Sequence, residues 1–138
     1  MYLDVIQDDD EEVTKSARYY VDLFAGPGRD EIRPGQRQID GSPLRALSLQ
    51  RGNFTKYILV ENKPSYFQAL TKRVSTHDRG TSAEVLSGDC NELVEQIVQE
   101  IPQGSPVFLF VDPRGLDIHW QTVQRFAAHR HLDMLTTC

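Results

Sequence analysis

The stretch Tyr19-Tyr-Val-Asp-Leu-Phe-Ala-Gly-Pro-Gly28 decides the fold, because it is an apolar run that ends in a glycine turn. Residues 19–25 predict a buried strand, since aromatic and branched residues favour strands. Gly26 and Gly28 follow it, and glycine adopts positive φ and lets the backbone approach a ligand closely. The turn therefore has the form of a cofactor loop. Glu31 occupies the position of the third glycine in a dinucleotide fingerprint, and no helical pattern follows directly.

Four more apolar runs follow, and they alternate with helical patterns, as in α/β proteins. We expect strands at residues 57–60, 83–87, 107–111 and 132–135. Helices are predicted at residues 43–49 after a Ser42 cap, from Pro64 onward, from an Asn91 cap to Ile101, and at 120–127 with Trp120 in the core. Continuous apolar strands favour parallel pairing with helices on both faces. Residues 29–41 have no apolar period and predict an inserted loop.

Length and composition indicate one globular domain of 138 residues, 39% of them hydrophobic, with a formal net charge of −5. Six of the 20 acidic residues precede position 13, so we expect an acidic leader at residues 1–14 and a nearly neutral domain at residues 15–138. The longest apolar run, at residues 107–111, is far too short to span a membrane, and no secretory signal is found. Two cysteines without a CxxC pattern favour a reducing compartment, and we expect a cytoplasmic protein.

An acid or a glycine turn closes each of the first four predicted strands, at the edge where open α/β sheets bind ligands. Glu61 is placed either to accept hydrogen bonds from two ribose hydroxyls, because a carboxylate has two acceptor oxygens, or to cap the helix that begins at Pro64. Asp89 is placed to receive an adenine amino group or to cap the next helix. Asp112, before Pro113, is placed to orient an amine or hydroxyl, with a simple Pro-Gly turn as the alternative. Asp22 precedes the glycine turn, where a carboxylate suits a ligand with an ammonium group.

Other polar residues give weaker signals. The histidines lack the spacing of metal ligands, so no metal site is predicted; they are His77, His119, His129 and His131. Cys90 has no base nearby in sequence and is interpreted as a packing residue. The arginine-containing segment from Arg29 to Arg51 also carries acids and no interleaved aromatic residue, which favours a solvated loop over a phosphate-binding surface.

Several motifs together resemble the three-Cys-motif partner family: Tyr20-Val-Asp-Leu-Phe-Ala-Gly-Pro-Gly-Arg29, Asp40-Gly-Ser-Pro-Leu44, Val60-Glu61, Gly88-Asp89 and Phe108-Leu-Phe-Val-Asp-Pro-Arg-Gly-Leu116. The resemblance extends from about residue 19 to residue 135. It implies a class I S-adenosylmethionine-dependent methyltransferase with a Rossmann-like, mostly parallel sheet in the strand order 3-2-1-4-5. Family members are usually longer, so the resemblance also implies that the chain is the N-terminal part of a methyltransferase fold, truncated at the C-terminus.

The resemblance also assigns site residues. It implies S-adenosylmethionine binding by Asp22, Gly26 and Gly28 at the methionine end, by Glu61 at the ribose and by Asp89 at the adenine, together with their neighbours Phe24, Ala25, Asn62 and Cys90. Asp112 and Pro113 match the substrate side, where amino-methyltransferases carry Asp-Pro-Pro. Arg114 here replaces the second proline. The methyl acceptor implied is a nucleic acid or a modified nucleotide.

Two alternatives to a methyltransferase stay open at this point. The first is a non-catalytic module that binds an adenosyl ligand or a protein partner, without a working substrate half. The second is an NAD-dependent enzyme, which would share Glu61 but needs the third glycine that this chain lacks.

Overall fold

The computed structural model describes residues 17–31, 37–49, 54–113, 118–129 and 131–136. The strands in these residues are β1 (Tyr19–Asp22), β2 (Arg29–Glu31), β3 (Gln38–Asp40), β4 (Lys56–Glu61), β5 (Ala83–Ser87), β6 (Val107–Val111) and β7 (Leu132–Thr136). The helices are α1 (Ser42–Leu47), α2 (Pro64–Ser75), α3 (Cys90–Glu100) and α4 (Trp120–Ala127), with a single 3-10 turn at Gly80–Ser82. The predicted acidic leader, residues 1–14, lies outside the described residues.

Five strands form one parallel sheet in the order β5-β4-β1-β6-β7. β1 lies at its centre, where Tyr19 pairs with Lys56 of β4 on one side and with Val107 of β6 on the other. Counted along the five predicted strands, this is the order 3-2-1-4-5, so the prediction of a Rossmann-like α/β fold is confirmed. All four pairings are parallel, and the carboxyl ends of the strands therefore share one edge of the sheet.

The core divides into two clusters, to which the strands contribute alternate residues, as the period of a strand requires. Val21 of β1 packs in one cluster with Ile97 of α3 and Phe126 of α4. Tyr20 packs in the other with residues of α1 and α2, among them Leu70. Since β1 carries apolar residues to both clusters, its sequence is continuously apolar rather than alternating, and this is the pattern that predicted it.

The prediction of a loop over residues 29–41 is wrong for its described part. β2 and β3 pair antiparallel there, with Arg29 opposite Asp40 and Glu31 opposite Gln38. The short strands are mostly polar, so they lack the apolar alternation by which a strand is recognised in sequence. Arg33 and Arg51 of the predicted basic loop lie outside the described residues.

The caps predicted at Ser42 and Asn91 are wrong by one and two positions, whereas the alternative prediction that Asp89 caps the next helix is confirmed. Gly41 is the N-cap of α1, and Ser42 is the first residue of that helix. Asp89, not Asn91, is the N-cap of α3, and its carboxylate accepts a hydrogen bond from the Asn91 backbone N–H. An N-cap residue precedes the first helical residue and has extended backbone angles, as Asp89 does.

Trp120 is not a core residue, because 67% of it is exposed. It begins α4 two positions before Thr122, which puts it on the opposite side of the helix from the buried residues Thr122 and Phe126. The first strand is also shorter than predicted and ends at Asp22, with Leu23 already in the turn. In the described part of the chain, no helix is both long and apolar enough to cross a membrane.

Candidate functional site

Two adjoining cavities lie beyond the carboxyl ends of β4 and β5, and they share the lining residues Phe24, Glu61 and Asn62. The Asp89 cavity measures about 200 Å³ and is lined further by Gly88, Asp89, Cys90, Asn91 and His119. The Tyr66 cavity measures about 350 Å³ and is lined further by Gly26, Lys63, Tyr66 and Pro113. Ligand pockets usually measure about 300–1,000 Å³, so the pair has room for a nucleoside-sized ligand.

Glu61 is the acidic side chain that both cavities share. It is the last residue of β4 and is only 7% exposed. Its Oε1 accepts a hydrogen bond of 2.7 Å from the Gly26 backbone N–H, and its Oε2 accepts one of 2.7 Å from the Lys63 backbone N–H. Each carboxylate oxygen accepts two hydrogen bonds, so one position on each oxygen remains for a ligand. The carboxylate is thus fixed in place and keeps acceptor capacity at the cavities.

The residues of the glycine turn after β1 have two kinds of surroundings, the Tyr66 cavity and packing contacts. Gly26 lines the Tyr66 cavity with a φ of 76°, a conformation that favours glycine. Ala25 is buried, and its N–H donates to the Val60 carbonyl at 2.8 Å. Gly28 has a φ of 94°, and a Cβ there would lie 3.3 Å from carbons of Arg73 and Leu70. Of the three, Gly26 borders the cavity, whereas Ala25 holds the turn against β4 and Gly28 packs it against α2.

Asp22 is buried in the interior, with no exposed surface. Its Oδ2 accepts hydrogen bonds from the Tyr20 hydroxyl at 3.0 Å and from the Ser42 hydroxyl at 2.6 Å, and its Oδ1 accepts a longer one from the Phe24 N–H. Burial, followed by the charge of Asp22, raises the pKa of Tyr20, so this phenol stays protonated and continues to donate. The structure therefore places Asp22 in a contact between β1 and the start of α1.

Asp89 and Cys90 lie together at the start of α3, on the wall of the Asp89 cavity. Asp89 Oδ1 accepts from the Asn91 N–H at 2.8 Å, so the residue caps the helix while it borders the cavity. Burial and the neighbouring Asp89 charge raise the pKa of the Cys90 thiol to about 12. A thiol with so high a pKa is a poor nucleophile at neutral pH, which agrees with its interpretation as a packing residue.

His119 reaches the Asp89 cavity through a contact between α3 and α4. The Asn91 side-chain carbonyl accepts hydrogen bonds from the His119 N–H at 2.8 Å and from the Thr122 hydroxyl at 2.7 Å. This joins the first turns of the two helices and puts His119 on the cavity wall. Among the residues that the structure describes, no group of three or more His, Cys, Asp or Glu side chains is placed to hold a metal ion.

Asp112 and Pro113 are neighbours in sequence but line different hollows. Pro113 borders the Tyr66 cavity, opposite the residues that follow β4. Asp112 borders a separate groove of about 360 Å³, here the hairpin groove, which is lined also by Ser42, Arg45 and Phe110. The predicted substrate-side pair is thus split between the cavity that contains Gly26 and a groove beside the β2–β3 ribbon.

The arginines that the structure describes in the basic segment are exposed, and two of them contact Asp40. Arg29 Nε lies 3.2 Å from Asp40 Oδ1, and Arg45 Nε donates to the Asp40 carbonyl at 2.9 Å. Arg37 is exposed. These arginines therefore lie on a solvated surface with an ion pair, whereas Leu44 and Leu47 of α1, in the same segment, are buried in the core.

Sequence reasoning did not assign six of the lining residues to the site: Leu23, Lys63, Tyr66, Gly88, Asn91 and His119. Lys63 is the N-cap of α2 and Tyr66 lies in its first turn, so the rule that ligands bind beyond strand ends would have found them if applied to the start of the next helix. His119 has no such local signal, because it reaches the cavity through a contact with Asn91, 28 positions away.

No protein-family model matches this sequence, and no curated protein matches it significantly.

Proposed function

We propose that this chain binds S-adenosylmethionine in the two cavities and is a methyltransferase. The observation that carries the proposal is Glu61, a buried carboxylate at the end of β4 that borders both cavities and keeps a free acceptor position on each oxygen. In an open α/β sheet, an acid at this place accepts hydrogen bonds from ribose hydroxyls. Glu61 is therefore assigned to the ribose.

The adenosyl half of the ligand fits the residues around Glu61. Asp89 and the backbone near Cys90 line the cavity on the β5 side, where an adenine amino group finds a carboxylate acceptor. Phe24 and Asn62 line both cavities and lie between the proposed base and the proposed amino-acid arm. The arm is assigned to the Tyr66 cavity, beside Gly26.

The ammonium end fits less directly, because the Asp22 carboxylate is buried and accepts from two hydroxyl groups. We assign Asp22 to positioning: it holds Ser42 and the turn after β1, so that Gly26 keeps its place at the cavity. Ala25 and Gly28 have the same kind of role. This differs from the direct contact that the family resemblance implies.

S-adenosylmethionine supplies an electrophilic methyl group when bound. The contribution of the chain is to bind the cofactor and to orient a nucleophile in line with that methyl, which is catalysis by positioning. Pro113 borders the proposed arm site and Asp112 borders the hairpin groove, so we propose that the acceptor enters along this groove. Asp112 would orient the amine or hydroxyl of the acceptor. The acceptor class that we propose is a nucleic acid or a nucleotide.

Calorimetric titration with S-adenosylmethionine and S-adenosylhomocysteine tests the proposal. We expect both to bind, and Glu61→Gln to weaken binding about tenfold or more, since the amide offers one acceptor oxygen where the carboxylate offers two. Glu92→Gln is the matched control, because Glu92 is an exposed acid of α3 that lines neither cavity. Failure of the unaltered chain to bind either ligand would overturn the proposal, and preferential binding of NADH would favour the NAD alternative.

A non-catalytic adenosyl-binding module is the second candidate. The observation that favours it is the separation of Asp112, on the hairpin groove, from Pro113, on the Tyr66 cavity. Incubation with methyl-labelled S-adenosylmethionine and pools of nucleic acid and protein distinguishes the two. Label transfer identifies a methyltransferase, whereas tight binding without transfer to any pool identifies a binding module or a partner-binding protein.

We also propose that the protein works in a reducing compartment, the cytoplasm. Cys90 is a free thiol and is buried at the start of α3. A buried free cysteine is compatible with a compartment in which thiols stay reduced.

A further inference from the structure

Lys63 is the only lysine or arginine among the described residues that line the two cavities. It is the N-cap of α2, directly between the end of β4 and the helix. Its backbone N–H donates to Glu61 Oε2 at 2.7 Å. The residue is thus anchored, through its main chain, to the carboxylate that we assign to the ribose.

The side chain of Lys63 is positioned by an aromatic ring. Its Nζ lies 4.2 Å from the centroid of the Tyr66 ring, which is within the range of a cation–π contact. Tyr66 is 37% exposed and lines the same cavity. A ring attracts an ammonium group without neutralising its charge, so the cavity wall carries a positive charge that is held in place.

The other groups at this wall carry no positive charge: Asn62 and Tyr66 offer only neutral donors. The Gly26 N–H is already donated to Glu61 Oε1, so that backbone donor is occupied. Glu61 itself repels a negative group and suits neutral hydroxyls. A negatively charged part of a ligand in the Tyr66 cavity therefore has the Lys63 ammonium as its charge partner among these residues.

We propose that Lys63 is a specificity-determining residue that selects adenosyl ligands whose arm carries an anionic group, a carboxylate or a phosphate. The inference rests on the proposed function, because it takes Glu61 as the ribose acceptor. It adds the charge of the ligand: neutral nucleosides bind through Glu61 and Asp89 alone, and anionic ones gain the contact with Lys63.

Titration with four ligands tests the inference: adenosine, 5′-methylthioadenosine, S-adenosylhomocysteine and adenosine 5′-monophosphate. The first two have an uncharged arm, the third has a carboxylate beside an ammonium group, and the fourth has a phosphate. We expect Lys63→Met to weaken binding of the anionic ligands about tenfold, as for a lost charged hydrogen bond, and to leave the neutral ligands within about twofold. Loss confined to S-adenosylhomocysteine identifies the cofactor carboxylate as the anion, and loss confined to the monophosphate identifies a nucleotide phosphate.

Three variants separate charge from packing. Lys63→Arg keeps the charge and should restore most of the affinity for the anionic ligands. Lys72→Met is the matched control, since Lys72 is an exposed lysine of the same helix that lines neither cavity. Tyr66→Leu removes the ring but keeps an apolar side chain. We expect it to weaken binding of the anionic ligands about threefold, because Lys63 then loses its contact with the ring.

The outcomes for the two proposals are distinct. If none of the four ligands binds the unaltered chain, the proposed function itself is overturned. If all four bind and Lys63→Met weakens them equally, or not at all, the adenosyl site stands and the role of Lys63 is overturned. Raising the salt concentration gives a further check, since it should weaken the anionic ligands more than the neutral ones.

Discussion

Asp22 and Glu61 are two buried carboxylates at the ends of neighbouring parallel strands, and they have different surroundings. Asp22 accepts from the hydroxyls of Tyr20 and Ser42 inside the core. Glu61 accepts from two backbone N–H groups and borders two cavities. Both carboxylates thus join structural elements, but Asp22 is enclosed by the core, whereas Glu61 also keeps acceptor positions at the two cavities. The identity of the donors, rather than the acid itself, distinguishes the two roles.

Asp22→Ala should have the largest effect on stability. It removes a carboxylate and leaves the Tyr20 and Ser42 hydroxyls without their acceptor, and a buried unsatisfied donor costs about 1–3 kcal/mol. We expect a loss of about 3 kcal/mol in the free energy of unfolding, measured by urea denaturation. The folded fraction should still bind S-adenosylhomocysteine. Unchanged stability with binding abolished would instead make Asp22 a ligand contact and remove the contrast with Glu61.

Glu61→Gln should have a smaller effect on stability than Asp22→Ala and a larger one on binding. One of its two backbone donors, that of Gly26 or Lys63, then faces an amide NH₂ in place of an oxygen. We expect a loss of about 1–2 kcal/mol in the free energy of unfolding. Thermal denaturation with and without ligand measures both effects, and a loss of stability greater than that of Asp22→Ala would contradict the comparison.

A second pair of carboxylates, Glu84 and Glu100, sharpens the comparison because these two acids interact with each other. Burial, then the hydrogen bond and charge of Glu84, raise the pKa of Glu100 from 4.5 to about 7, with Lys56 opposing. The folded protein therefore holds a proton between about pH 4.5 and 7 that the unfolded chain has released, and stability falls as the pH rises through this window. Urea midpoints at pH 5 and pH 8 should show the decrease, and Glu84→Gln should reduce it. An equal decrease in the variant would assign the pH dependence to other groups.

The smallest effects concern two tyrosines, Tyr20 and Tyr57, whose hydroxyls differ in hydrogen bonding. The Tyr20 hydroxyl donates to Asp22, whereas the Tyr57 hydroxyl is buried and has no hydrogen-bond partner in the described part of the chain. Tyr20→Phe should cost about 1 kcal/mol, and Tyr57→Phe should be neutral or stabilising by less than about 1 kcal/mol. Parallel urea denaturation of both variants measures this difference, and a clear loss for Tyr57→Phe would show that its hydroxyl has a partner.

The sheet was predictable because its buried strands consist mainly of apolar residues, which are recognisable as runs in the sequence. β1 and β6 carry residues into both core clusters, so every position in them is apolar or packed. The β2–β3 ribbon lacked such a signal, since its residues are polar and pair with each other through the backbone. Trp120 misled for the opposite reason: its residue type suggests the core, but its position at the start of α4 faces away from it.

The candidate site was predictable where a residue acts through its position in the chain. Glu61 ends β4 and Asp89 follows β5; the structure places Glu61 at both cavities and Asp89 at one of them. The partners of Asp22 were not predictable, because Ser42 is 20 residues distant and reaches Asp22 only through the packing of α1 on β1. The separation of Asp112 from Pro113 depends likewise on the ribbon, which the sequence did not indicate.

The hydrogen bond from Gly26 to Glu61 has a practical consequence. It joins the turn after β1 to the end of β4 through one proton. A ligand that donates a hydrogen bond to the Glu61 carboxylate changes the electron density at Oε1, the oxygen that accepts from the Gly26 N–H. Ligand binding at the proposed site should therefore shift the amide resonance of Gly26. Nuclear magnetic resonance can measure this shift without any label on the ligand.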